Sequence, residues 1–339
     1  MIHATEKLGT AWRAAVARGA ELLVKALPKA CALPIDEIVG IAARINENIY
    51  SAEAKTPHSP IATVGLFPLA GLINHSCSPN CTWSSGATPG TMVVKATEFI
   101  PHGDEVCLYY IDVNQPRAAR QTQLQLTKHF TCACDRCIAP WSPTSVDTII
   151  DGVCCAACHE LYQDDSGVCS TCGASLLNAS TATELKSKAA ATLKQAQAQY
   201  ERKQYTAVQD LLCRLDDPSN GLELHPSHWV LMSAARLLAD CFFKTRDYKA
   251  SYKYRCRVVE SLRATTSFYS QAMASAYIQL AELLAVSMKH SVWSDGDEKT
   301  AKLAELKTAF TTGLDIRRVC YVESHPLVQQ VRAQVEALK

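Results

Sequence analysis

Gly71-Leu72-Ile73-Asn74-His75-Ser76-Cys77-Ser78-Pro79-Asn80-Cys81 is the stretch from which the rest of this chain can be read. It lies between short apolar, β-branched or aromatic runs, Val64–Phe67 before it and Met92–Ala96 and Val106–Ile111 after it. Gly, Pro, Asn and Ser residues bound those runs, which therefore read as strands. Some fifty residues further on stands Cys132-Ala133-Cys134-Asp135-Arg136-Cys137. Three thiolates so close can bind one face of a tetrahedral Zn²⁺ and leave the fourth position empty. Cys77 is the candidate fourth ligand, and its recruitment would tie the strand region to the Cys-rich stretch. On its own, the CxCxxC pattern also admits a redox cluster.

A second thiol set follows. Cys155 and Cys158 form one CxxC, Cys169 and Cys172 another, with ten residues between the pairs. Two such knuckles make a small zinc ribbon, whose folding free energy comes largely from the metal because its loop holds almost no apolar core. A closed four-thiolate site leaves no open position for chemistry, so the ribbon reads as structural. Cys154 and His159 are adjacent alternative ligands. Sixteen cysteines in a chain of this size, with no export signal, point to reduced thiols and metal rather than a disulfide scaffold. Cys31, Cys213, Cys241, Cys256 and Cys320 stand singly in apolar helical patterns and read as packed core residues.

Both flanks are helical. From Met1 to about Asn48 the pattern is punctuated by Pro28 and Pro34, and Asp36 is placed to cap a helix through Ile38, Ile41, Ala42 and Ile45. The basic, Ala-rich residues 1–30 resemble a mitochondrial presequence in composition. The spacing of Trp12, Val16, Leu23 and Leu27 suits an ordinary amphipathic helix equally well, and that reading is preferred. After the loop-rich stretch from His129 to about Asn178, a helical period returns at Thr181 and persists to Lys339. Leu231, Ala234, Leu238, Cys241 and Phe242 share one stripe, and Tyr277, Leu280 and Leu284 another. Tyr205-Thr206-Ala207 echoes as Tyr248-Lys249-Ala250, a period of 43 residues. That exceeds the roughly 34 of a tetratricopeptide repeat, so the expected array is TPR-like, with an unrelated bundle as the other reading.

At 339 residues the chain has room for two domains, and 48% hydrophobic residues suffice for real cores. Thirty-four basic against 33 acidic side chains leave a net charge of +1, and Glu160, Asp164 and Asp165 make the ribbon loop acidic. Direct nucleic-acid binding is therefore not expected. No run approaches the roughly 18 apolar residues of a membrane span, and no membrane partner is expected. With no basic localisation cluster, the expected compartment is the cytoplasm with access to the nucleus.

The order NHSCxPNC, then Gly103-Asp104-Glu105, Tyr109-Tyr110-Ile111-Asp112 and CxCxxC resembles the SET-domain protein lysine methyltransferases. The helical lead-in before Asn46 and a helical C-terminal region ending in Ser324-His325-Pro326 are similar to the SET-and-MYND (SMYD) branch. The resemblance implies an α+β fold: the C-terminal part of a β-rich SET core with a Cys-rich zinc-binding post-SET segment, followed by an all-α TPR-like helical-repeat domain. The corresponding ranges are 1–48 for the helical insert, 49–112 for the C-terminal half of the SET core, 113–139 for the post-SET segment, 140–180 for the zinc-ribbon insertion and 181–339 for the helical domain. The NHSC segment of the family is threaded under a neighbouring loop.

The same resemblance implies S-adenosyl-L-methionine as cofactor, held by Asn74 and His75 with a further contact at Asn46. An amide and an imidazole suit the polar amino-acid end of such a molecule, and Phe130 offers an aromatic face to the adenine. Tyr110 matches the catalytic tyrosine, with Tyr109 beside it, and the acceptor would be a lysine of a histone tail or another protein. His75 is also a possible general base, though a cofactor-holding or structural role is preferred. Gly103-Asp104-Glu105 reads as a tight turn closing a hairpin. Zinc is expected at two sites, Cys77 with Cys132, Cys134 and Cys137, and Cys155 with Cys158, Cys169 and Cys172. The opening strand pair of the family, with its Gly-containing cofactor loop, and its MYND finger have no counterpart in this sequence. The alternative is accordingly an inactive or truncated SET protein whose helical domain binds peptides or chaperone tails as a scaffold.

Overall fold

A computed structural model describes residues 9–28, 33–53, 63–88, 90–163, 167–217 and 223–338. Cys31, Asp164 and Asp165 lie outside the described residues. The chain divides into two compact units, Met1–Ile111 with Ala118–Cys134, and Asp112–Arg117 with Asp135–Lys339.

The first unit opens with two helices that pack on each other, α1 (Thr10–Ala26) and α2 (Ile35–Asn48). The expected cap at Asp36 is replaced by Pro34, which sits at the N-cap with ψ 143° and leaves Asp36 and Glu37 in the first turn, where their charge suits the helix dipole. On α1 only Ala20 is buried, while Leu22 and Leu23 are exposed.

Among the described residues six short strands follow, in three pairs. β1 (Ile49–Glu53) and β2 (Thr63–Leu66) are antiparallel, with an irregularity between Ser51 and Glu53. β3 (Asn74–His75) runs parallel to β6 (Cys107–Leu108), and β4 (Cys81–Ser85) antiparallel to β5 (Met92–Ala96). β1, β3 and β4 were not legible as strands, and the expected strand over Val106–Ile111 contracts to two residues. Gly103 does make the turn, at φ 95° with the Asp104 N–H donating to Pro101 O. It closes no hairpin, since β6 pairs with β3 rather than β5. Asn80 takes over where strand pairing stops: its Nδ2 donates to Glu105 O (2.8 Å) and its Oδ1 accepts from Cys107 N (2.9 Å).

In the second unit, α3 (Arg117–Lys128) contributes only its first residue, and α4 (Asp135–Ile138) and α5 (Val146–Asp151) follow. The carboxylate of Asp147, buried in α5, accepts from Arg117 Nε (3.0 Å) and Arg136 Nε (2.9 Å). The remaining helices are α6 (Ala179–Glu201), α7 (Tyr205–Leu215), α8 (Trp229–Lys244), α9 (Tyr248–Thr265), α10 (Gln271–Lys289), α11 (Gly296–Cys320) and α12 (Pro326–Glu336). Each packs on its successor, as a helical repeat requires. The 43-residue echo has a physical cause: Lys203 and Arg246, one repeat apart, both adopt the left-handed conformation (φ 59° and 65°) that ends one helix and turns the chain into the next. Cys241 and Cys320 are fully buried in this core, and Cys213 and Cys256 pack against it half-buried. Among the described residues no helix is long and apolar enough to cross a membrane.

The segment after α5 joins this same core. Val153, Cys155, Tyr162 and Cys169 are buried in one apolar cluster with residues of the helices, and Val153 bridges to Leu224. Gly152 makes the close approach possible, because a Cβ there would fall 2.2 Å from Thr148 O and 2.3 Å from Leu161 Cδ2. Gly152→Ala is expected to lower the urea unfolding midpoint of the chain through a loss of about 1–3 kcal/mol, the usual cost of overpacking.

Candidate functional site

Cys77, Cys132, Cys134 and Cys137 bring their Sγ atoms within 4.8 Å of one another, and so do Cys155, Cys158, Cys169 and Cys172. Either group can hold a zinc ion. Cys154 and His159 stand outside the second group: the Cys154 N–H donates to Glu223 O, and His159 supplies a left-handed turn at φ 61°. The second group is knit as facing knuckles, with Cys155 Sγ 3.7 Å from Cys172 Sγ and Cys158 Sγ 3.6 Å from Cys169 Sγ.

The first group is tested by its surroundings. Arg120 of α3 is wholly buried and aims Nε at Cys77 Sγ from 3.1 Å. The Cys77 N–H points at Cys134 Sγ from 3.4 Å. A guanidinium is always charged and does not sit in a dry core beside neutral thiols without cost. Four thiolates on Zn²⁺ carry a net charge of −2, which supplies the opposite charge Arg120 needs. The donor set therefore fits zinc.

His75 lies between this cluster and the tyrosine pair. Its Nε2 is 3.3 Å from Cys77 Sγ, and its Nδ1 accepts from the Tyr110 N–H at 3.0 Å. Burial pushes its pKa down to about 4, against the charge of Cys134 and aided by that of Arg120. The ring is thus neutral, with its hydrogen on Nε2 facing the sulfur, an arrangement typical of groups that orient metal ligands. Both ring nitrogens are engaged, so the polar contact His75 leaves for a ligand is through its backbone. Asn74 is likewise engaged, donating from Nδ2 to Glu105 Oε1 at 2.6 Å. This gives Glu105 a positioning role.

Tyr110 donates its hydroxyl hydrogen to Ile73 O at 2.5 Å. Burial, with Tyr50, Cys107 and Glu105 nearby, pushes its pKa up to about 12, so near neutrality it is a hydrogen-bond donor and not a base. Its ring centroid is 5.3 Å from that of His75, which in turn lies 6.1 Å from Phe130. Tyr110, His75 and Phe130 are therefore brought together, with Tyr109 half-buried alongside. Asn46 is exposed near the end of α2, and the neighbour that faces the approach to β3 is Asn48, whose Oδ1 would lie 3.5 Å from a Cβ on Gly71.

Three further residues belong to this region and carry no sequence signal. Tyr50 donates to Ala70 O (3.0 Å) and packs edge-on against Trp83. Glu47, buried, places Oε1 3.3 Å from His129 Nε2. Lys128, at the end of α3, donates to Glu47 O (2.6 Å) with its Nζ 5.5 Å from the centre of the Tyr110 ring. Glu47 and Lys128 could have been found only by knowing that the end of α2 meets the end of α3.

Residues 23–111 match the SET domain family. SET domain-containing protein SmydA-8, isoform B, of Drosophila melanogaster is 37% identical over 112 residues, 32% of this chain and 24% of that protein. Histone-lysine N-methyltransferase ASHR2 of Arabidopsis thaliana is 32% identical over 87 residues, 24% of this chain and 22% of its own length. Protein-lysine N-trimethyltransferase SMYD5 of Mus musculus is 35% identical over 78 residues, 22% of this chain and 19% of its own length. The match thus spans about a quarter or less of these relatives. The NHSC segment, Glu105 and Tyr110 all fall inside the SET match, and the CxCxxC cysteines gather with Cys77 in three dimensions: over residues 23–111 the chain is similar to SET domains, among them those of SMYD-type proteins.

Proposed function

We propose that the chain carries the methyl-transfer site of a protein-lysine N-methyltransferase, that S-adenosylmethionine is its cofactor and that zinc fills both four-cysteine groups. The observation that carries this reading is the placement of Tyr110. Its hydroxyl is held on a backbone carbonyl and its backbone N–H on the imidazole that also meets the Cys77 sulfur. The tyrosine is thereby locked to the zinc cluster, as preorganised catalysis demands. Cys77, Cys132, Cys134 and Cys137 would hold the zinc, and with all four positions taken by thiolates it would serve to fix this geometry.

S-adenosylmethionine, when bound, supplies an electrophilic methyl group. The chain supplies orientation. The phenol of Tyr110, kept protonated by burial, has its one hydrogen on the Ile73 carbonyl, so its oxygen is left as an acceptor of fixed direction for an N–H of the incoming amine. Phe130 and the engaged His75 ring form an apolar wall. Since Tyr110 is no base, the acceptor lysine must give up its proton to solvent before reaction. The acceptor is a lysine side chain of a protein, histone or otherwise, and the protein is expected in the cytoplasm and nucleus.

Transfer of labelled methyl from S-adenosylmethionine to a histone or whole-proteome mixture tests the reading. Wild type is expected to label protein lysines, and Tyr110→Phe to reduce the rate by about 100-fold or more while retaining zinc. Absence of labelling by a zinc-loaded wild-type protein would overturn it. One observation favours the second reading, a peptide-binding scaffold without catalysis: the aromatic face of Tyr110 already carries the ammonium of Lys128.

A further inference from the structure

Lys128 is a half-buried lysine held at both ends, at the close of α3 and by its Nζ on the Glu47 carbonyl at the close of α2. Its ammonium lies 5.5 Å from the centre of the Tyr110 ring. An aromatic face attracts one cation through its quadrupole, and in this site that cation is part of the chain. Burial lowers the pKa of this amine, and the Glu47 carboxylate opposes that by favouring the charged form. That carboxylate also has the His129 ring 3.3 Å away. A second positive charge brought against Tyr110 would therefore meet a fixed like charge in a partly desolvated setting, where repulsion is much stronger than in water.

We propose that Lys128 makes the adenosyl site charge-selective, so that it takes the neutral thioether S-adenosylhomocysteine in preference to the cationic sulfonium S-adenosylmethionine. The inference rests on the methyltransferase reading above: if Tyr110 orients the incoming amine, in-line transfer requires the sulfur of the cofactor on the same side of the site. The two ligands differ by one methyl group and one positive charge, and nothing else in them responds to Lys128. A site so biased retains the product of methyl transfer and reports the ratio of the two forms.

Calorimetric titration of the full chain with each ligand separately tests this, on wild type, Lys128→Met, Lys128→Gln and Lys128→Arg, with zinc content and circular dichroism as checks on folding. Wild type is expected to bind the thioether about tenfold more tightly than the sulfonium. In the two neutral variants that ratio should contract to about threefold or less, mainly through tighter binding of the sulfonium. Lys128→Arg, which keeps the charge, should retain the wild-type ratio. Neutral and Arg variants that bind both ligands at the wild-type ratio would overturn the role of Lys128 and leave the methyltransferase reading standing. A wild-type protein that binds neither ligand would overturn both.

Discussion

Cys77→Ser is expected to reduce bound zinc from two ions per chain to one and to loosen the whole segment from Asn74 to Tyr110. Cys77 is 1% exposed, and its sulfur is approached by the other three thiols, by the Arg120 guanidinium and by the His75 ring. A serine hydroxyl is a poor zinc ligand. The metal contributes on the order of 10 kcal/mol or more to the folding of small structural sites. Because His75 also accepts from the Tyr110 N–H, loss of the sulfur releases the ring that positions the tyrosine. Plasma mass spectrometry would count the metal, and amide hydrogen exchange would follow residues 74–81 and 105–110. Retention of two ions with unchanged exchange would show that Cys77 is a bystander.

The second large effect is expected at Arg120. Arg120→Met keeps much of the side chain's length and removes the only charge it carries, leaving the zinc tetrathiolate without its buried counter-ion. Breaking a buried pair by removing one partner costs about 3–5 kcal/mol, far beyond the value of a surface ion pair. Chemical denaturation should show that loss, and zinc should pass to a chelator faster than from wild type. Arg120→Lys is expected to recover only part of it, since an ammonium lacks the directed fork of a guanidinium. Equal stability of wild type and Arg120→Met would mean that the cluster is held as neutral thiols.

The two four-cysteine groups were legible in the sequence because ligand spacing is itself chemistry: CxCxxC leaves a fourth position open, and Cys77 is the thiol the structure brings to it. The helices were legible from their apolar period. The strands were harder. β4 reads Cys81-Thr82-Trp83-Ser84-Ser85, and the structure buries Thr82 and Ser84 where an aliphatic run would have announced a strand. β3 and β6 are two residues each, and Asn80 does with one amide what a longer ladder would do. Lys128 was illegible for another reason. A lysine in the last turn of a helix ordinarily complements the helix dipole in solvent. Only its contact with Glu47, 81 residues earlier, gives it a place beside Tyr110.

The burial of Val153, Cys155, Tyr162 and Cys169 in the same apolar cluster as the helices makes the ribbon part of a cooperative folding unit rather than an ornament between two others. In a repeat array, stability spreads from neighbour to neighbour, so an element that covers apolar surface on several helices governs the array as a whole. A fragment cut at residue 181 would leave that surface bare to water and prone to self-association. The availability of a single metal ion would then set whether some 200 residues melt together, and zinc scarcity would be felt in helices that bind no metal at all.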